Sequence, residues 1–334
     1  KMDLIYTEPY DPIMPTKELG YIRNCSIDVD LGTVVSGADN EFEIKLGLYE
    51  NNIKKGALIY DESGSEIGGI VYGVKVDTSS QTLTLKCKTW RGMLKDHIVK
   101  PPKNEDYFVF DGDANEVLEM MINNSYDGFI KAAKSASNIR ITGRIRYKDI
   151  LTTLDDVLLD AGGRIKITFD GERAICEVVP AKDVSDKICL DNDYGIPINA
   201  EDSYGYNHII ALGKGDLKER QLCELWVKED GSITDNVNDD IPCGLKLRTY
   251  IYDYPSVESL EELRKAANKK LREIGAIKKL EISQIELNLD IGDIVGAAER
   301  VTGINMKKQV TRKIIKGDII NGVSFLKTEL KVGD

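Results

Sequence analysis

The side chains able to do acid–base or metal chemistry are few in this chain of 334 residues, and histidine occurs only at His97 and His208. His97 lies in CKTWRGMLKDHIVKPP, residues 87–102, among Lys88, Arg91, Lys95 and Lys100, so the stretch has the material for proton transfer or anion binding. No partner histidine, cysteine or acidic motif accompanies His97 to orient or activate its ring. His208 sits in the apolar run NHIIAL, where a hydrogen-bonded structural histidine is expected. DGDANE, from Asp111, starts like a calcium loop, but Glu116 stands where the turn glycine is needed and Ile122 where the bidentate glutamate belongs. Asp113 reads better as a helix cap, and DNDYG from Asp191 and DNVNDD from Asp235 read as acidic turns. Gly213-Lys214-Gly215-Asp216 lacks the Gly-Lys-Ser/Thr ending of a phosphate loop and opens no helix, so a hairpin or bulge is expected. GxSxG and HExxH are absent, and carboxylate pairs drawn from 56 acidic residues carry no weight without geometry. No catalytic, cofactor-binding or metal-binding residue is expected.

The cysteines, Cys25, Cys87, Cys176, Cys189, Cys223 and Cys243, form no CxxC pair. Several lie in alternating runs such as LTLKCK and RAICEVV, so buried reduced thiols are expected rather than disulfides or zinc. The net charge of −11 disfavours nucleic-acid binding, which rests on basic side chains displacing counterions from phosphates. No apolar run approaches the roughly 20 residues that span a bilayer, so no membrane insertion is expected. No signal sequence opens the chain, and Lys1 ahead of Met2 reads as an expression remnant.

The elements that must position these residues are mostly strands. Alternation marks RNCSIDVDL, EFEIKLGLY, ALIYDE, GGIVYGVKV and QTLTLKCK. Three amphipathic helices follow. One starts after Asp113, one runs from about Lys148 to Ala161 and stops at Gly162-Gly163, and one starts at Ser259 with Glu262 completing a capping box. The last is expected to bury Leu260, Leu263, Ala267, Leu271 and Ile274. Asp170-Gly171 marks a hairpin in GRIKITFDGERAICEVVP. Within residues 87–102 the strand period gives way to a helical one at Trp90, Met93, Leu94 and Ile98, ended by Pro101. Lys88, Arg91, Lys95 and Lys100 then fall on the wet side, and Trp90 becomes the plug of a closing corner.

The chain also repeats itself. Ile53-Lys-Lys-Gly56-Ala-Leu-Ile59 matches Leu289-Asp-Ile-Gly292-Asp-Ile-Val295, with glycine at the same place before a strand. IVYGVKV and QVTRKII follow, then TLTLKCK and SFLKTELKV. The expected fold is mainly β with α+β insertions: two related small β-barrels plus smaller α+β domains. Residues 1–100 form the first barrel and 101–190 an α+β middle domain. Residues 191–225 and 278–334 form the second barrel, and 226–277 a helix-containing insertion.

The order and spacing of these segments resemble the baseplate-hub or tail-hub proteins of tailed bacteriophages and prophages. The resemblance is carried by FEIKL, IKKGALIYDESGSEIGGIVYGV, TWRGMLKDHIVKPP, ILTTLDDVLLDAGGRIKITFDGERAICEVV, YNHIIALGKGD with Arg220, and LDIGDIVGAAERVTGINMKKQVTRKI. It implies two tube-like barrels per chain and a homotrimer whose six similar units adapt a sixfold tail tube to the tip and let DNA pass. The implied partners are the tail tube or distal tail protein and a tip or spike protein. The implied place is the virion tail, after synthesis in the host cytoplasm. The roles expected of Gly56, Gly292 and Trp90 are structural. Two other readings stay open. A tail-associated peptidoglycan hydrolase or peptidase would need room for a catalytic domain beyond a second barrel ending at Asp334. A carbohydrate-binding β module would display aromatic platforms, whereas Trp90 and Trp226 both sit in patterned segments.

Overall fold

The computed structural model describes residues 2–49, 51–123, 125–191, 197–257, 259–275, 277–285 and 287–333. The DNDYG turn therefore falls, from its second residue on, outside the described residues. Seven strands open the chain: β1 (Leu4–Pro9), β2 (Glu18–Ile22), β3 (Cys25–Gly32), β4 (Glu41–Gly47), β5 (Ala57–Asp61), β6 (Gly68–Asp77) and β7 (Thr82–Thr89). Their antiparallel order is β3-β4-β7-β6-β5-β1-β2. In β3, Cys25, Ile27, Val29 and Leu31 point inward, and in β4 Phe42, Ile44 and Leu46 do the same. With Leu4, Ile22, Ile59, Val71 and Leu85 they share one core, as one apolar face of a sheet rolled on itself requires. All five residues of β5 are buried because it faces two cores: Ala57 and Ile59 on one side, Leu58 and Tyr60 on the other.

The second core belongs to the middle segment. It comprises α1 (Trp90–Lys95), β8 (Ile98–Val99), β9 (Phe108–Asp113), α2 (Ala114–Ile122), β10 (Ile130–Ala132), β11 (Arg140–Ile145), β12 (Lys148–Asp149), α3 (Ile150–Ala161), β13 (Gly163–Phe169), β14 (Ala174–Pro180) and β15 (Cys189–Leu190). Asp113 caps α2 by accepting from the Asn115 N–H, and Asp149 caps α3 by accepting from Thr152. Val117, Leu118, Leu151, Leu154 and Leu158 pack with Trp90, Leu58 and Tyr60 in one cluster. Residues 101–190 therefore share a core with the first sheet and do not form a domain with a core of their own. Helix α1 is also shorter than its apolar spacing suggests. Asp96 is its C-cap, and Ile98, expected on its buried stripe, is exposed in β8, which pairs with β12.

Contact density divides the chain into two compact units: residues Lys1–Ile198, Glu281–Arg300 and Asn305–Asp334, and residues Asn199–Leu280 with Val301–Ile304. From residue 198 the chain forms β16 (Ile198–Ser203), β17 (His208–Leu212), β18 (Leu222–Val227), β19 (Ile233–Thr234), β20 (Thr249–Asp253) and α4 (Leu260–Ile274). Strands β19-β18-β17-β20 make one sheet, and Ile209, Ala211 and Leu225 pack on Leu263, Ala267 and Leu271 of α4. The boundary expected at 225/226 falls inside β18, so residues 208–225 stay with α4 and are not grouped with 278–334. Their alternation marks a half-buried hairpin, and such a hairpin reads the same whichever sheet receives it. Leu260, expected in the buried stripe of α4, is exposed, because the helix covers its sheet from Leu263 onward.

The C-terminal strands are β21 (Ile277–Ile285), β22 (Ile294–Glu299), β23 (Ile304–Ile320) and β24 (Val323–Gly333). Their order β21-β24-β23-β22 repeats the order β4-β7-β6-β5. The repeat extends to backbone detail. Gly56 has φ +90° and Gly292 φ +98°, a left-handed region that residues with a side chain rarely adopt. Gly56 N–H donates to the Val71 carbonyl and Gly292 N–H to the Val310 carbonyl, both at 2.8 Å. Immediately past those valines each strand carries a bulge, between Val71 and Gly73 in β6 and between Val310 and Arg312 in β23. The two copies then join in one sheet, because β23 pairs along its second half with β3.

Replacing Gly56 by alanine should destabilise the fold by about 1–3 kcal/mol through its backbone conformation alone. Gly292→Ala should cost more, since the added Cβ would lie 2.4 Å from Cβ of Arg164. Urea midpoints of the two variants should fall in that order.

Candidate functional surface

The alternation that buries one face of β3 and β4 leaves the other polar. Asp28 and Asp30 project from β3, Glu41 and Glu43 from β4, and Lys86 from β7. A shallow groove of about 370 Å³ runs over this face, lined by five carboxylates, Asp28, Asp30, Asp39, Glu41 and Glu43, against three cations, Lys86, Arg312 and Lys316. Two of the cations come from β23 and close on β3. Arg312 donates to both carboxylate oxygens of Asp30 at 2.7 Å each, and Lys316 Nζ lies 2.9 Å from Asp28. Tyr72 at the rim donates its hydroxyl to Glu41 at 2.7 Å, which pushes the phenol up to about 12. Arg312 and Lys316 are thus held by Asp30 and Asp28, and the surplus of the lining is negative. A face with this negative surplus repels phosphates. Sequence reading missed the Arg312–Asp30 pair, because its partners lie 282 residues apart and no local pattern joins them.

The stretch around His97 forms a corner, and its interior differs from the expectation. Trp90 is fully buried, stacked on Phe169 at 5.2 Å and tilted against Phe129 at 5.3 Å. Both phenylalanines belong to the middle segment, so the indole fills the layer between that segment and the sheet, outside the core of the rolled sheet. Arg91, expected on the wet side, is buried. Its guanidinium pairs with Glu66 and donates to the Ile165 carbonyl at 3.1 Å. A six-residue helix docked on two sides has no fully wet face, so helical periodicity assigned Arg91 to the wrong side. Asp155, on α3, accepts from the Val34 N–H at 2.7 Å. Burial pushes its carboxyl up to about 6, against the opposing pull of that hydrogen bond and of Arg91.

His97 packs its ring on Tyr126 at 4.2 Å and is not among the groove residues. His208 stacks on Trp226 at 4.7 Å and shares a hydrogen bond with Thr249 at 2.9 Å. Burial lowers its pKa, with Glu224 acting in the other direction. The Gly213–Asp216 segment closes the hairpin of β17 and β18, with Gly213 N–H donating to the Gln221 carbonyl at 2.8 Å. Arg220 donates to the Gly213 carbonyl, also at 2.8 Å, and pairs with Asp253. Cys25, Cys87, Cys176 and Cys223 are buried, whereas Cys189 and Cys243 are exposed against expectation. Among the described residues no cluster of His, Cys, Asp and Glu can hold a metal ion, and no helix is long and apolar enough to cross a membrane.

No protein-family model matches the chain, and no curated protein matches it. Solved structures do. A prophage tail protein of Listeria monocytogenes superposes with a TM-score of 0.56 at 11% identity, covering 99% of this chain and 94% of that one. A tail protein of Neisseria meningitidis gives 0.51 at 13% identity over 99% and 96%. A prophage tail protein of Shewanella oneidensis gives 0.51 at 10% identity over 99% and 97%. The chain thus has the mainly β fold of prophage tail proteins along almost its whole length.

Trp90→Ala should destabilise the protein by about 3–5 kcal/mol, measured by denaturant unfolding. Trp90→Phe should cost less, because the buried indole nitrogen has no hydrogen-bond partner to lose. The raised pKa of Asp155 means that the folded state holds its proton more tightly than the unfolded chain. This contribution to stability is full below the ordinary carboxylate value of 3.8 and is lost as pH rises through about 6. Asp155→Asn keeps an acceptor for Val34 and should remove that decline. The melting-temperature difference between wild type and variant should therefore shift in the variant's favour across this window.

Proposed function

We propose that the chain is a structural component of a phage or prophage tail, a tip hub that forms a trimeric ring adapting a sixfold tail tube to the tip and letting DNA pass. The observation that carries this reading is the duplicated unit of left-handed glycine turn, bulge and four-strand order, set in a fold shared with prophage tail proteins over 99% of the chain. Three chains bring six such units, which reconciles threefold with sixfold symmetry. The acid-rich face of β3 and β4 lines the channel, where repulsion keeps DNA from sticking as it slides. The partners are the tail tube or distal tail protein on one side and a tip or spike protein on the other. No active site or cofactor enters this role.

Light scattering at several concentrations, with electron-microscopic imaging of the assembled species, tests it. A stable mass of three chains and a ring with an acidic channel are the expected results. A ring whose channel is strongly basic, or a particle without a channel, counts against the reading.

A further inference from the structure

The duplication exposes an asymmetry. In the C-terminal copy β23, beyond its bulge, pairs with β24 on one side and with β3 on the other. In the N-terminal copy β6, beyond its bulge, pairs with β7 alone, because β5 reaches only Gly68–Ile70. Among the described residues the backbone groups on the other edge of Tyr72–Asp77 therefore have no strand to meet. Aligning the bulges sets Tyr72 against Thr311 and Val76 against Ile315. Thr311 and Ile315 are 6% and 4% exposed, Ile315 within the core of the sheet that β3 joins, whereas Tyr72 and Val76 are 44% and 53% exposed. Val74 is 41% exposed as well, so the open edge carries apolar side chains at alternate positions. An unpaired edge with apolar side chains at alternate positions is a template for another strand, although the bulge at its start and Lys75 and Asp77 restrict what can add to it.

We propose that the Tyr72–Asp77 edge of β6 is an assembly site for a second copy of this chain, which adds the strand of its C-terminal copy standing where β3 stands in the first. Sheet order identifies that strand as β16: β16-β21-β24-β23 matches β3-β4-β7-β6. The contact between chains then repeats the contact that β23 and β3 already make within one chain. Because donor and acceptor strands differ, the contact is head-to-tail, and repeated rotation closes it into a ring rather than stopping at a dimer. The inference deepens the ring reading by naming the surfaces that close it.

The test uses the full chain and Val76→Pro. Strand alternation turns the Val76 N–H away from β7, just as that of Ile315 is turned toward β3, so proline removes an edge donor without breaking the β6–β7 ladder. Self-association measured by sedimentation should weaken at least tenfold in the variant, with its melting temperature close to wild type. Hydrogen exchange on the wild-type protein supplies a readout independent of the variant's folding. Segments 72–77 and 198–203 should both gain protection as concentration rises. Oligomers in which 72–77 stays unprotected overturn the edge assignment and leave the ring reading standing. A dimer protected at 72–77 alone overturns it too, as β6 pairing with itself. A chain that remains monomeric up to its solubility limit overturns both.

Discussion

The pairing of β3 with β23 is the constraint on which the first compact unit depends. It holds residues 25–32 against residues 312–319, near opposite ends of the chain, and merges two copies of one motif into a continuous sheet. Closing a loop of that length carries an entropic cost that local structure cannot offset. The offset comes from what the pairing buries: Ile315 and Ile319 enter the core with Val29 and Ile27, and the bidentate Arg312–Asp30 bridge forms beside them. The bulge past Val310 aims β23 at β3, and the left-handed turn at Gly292 places Val310, so a backbone feature of one residue propagates into the joining of the two copies.

The middle segment is fastened by a different device. Trp90, Phe129 and Phe169 fill one side of β5, while the rolled sheet fills the other. Buried charges register the segments against each other. Arg91 of α1 reaches Glu66 and the carbonyl of Ile165, and Arg164 reaches Asp293 at 3.0 Å beside the Gly292 turn. Buried pairs of this kind add little net stability, but losing one partner strands a charge. They favour one arrangement of the segments over others of similar hydrophobic content.

These observations bear on function through surfaces. The groove on β3 and β4 is an acid-rich polar sheet face on which Arg312 and Lys316 are held by Asp30 and Asp28, and neither histidine is among its lining residues. A fold can host many activities, so the weight falls on what this face and the sheet edges can do. On the proposed reading, the acid-rich face and the open strand edge would serve the channel and the assembly.

Local physics was legible in the residues. Strands β3 to β7 followed from alternation, whereas β1 and β2 were not read. The helices followed from Asp113, Ser259 and Gly162 as caps, and the duplicated turn from two glycines in matched surroundings, because each rests on neighbours within a few positions. The burial of Arg91, the side on which Trp90 packs and the grouping of β17 and β18 with α4 were not legible. Each depends on which distant segment covers a face, and a period of two or 3.6 marks a buried face without naming its cover. The sequence by itself determined strands β3 to β7, the three longer helices and the repeat, since each rests on neighbours a few positions apart. Only the tertiary structure decided that β3 covers the edge of β23 while the matching edge of β6 stays open, because strand pairing is set by long-range contacts that no local pattern encodes.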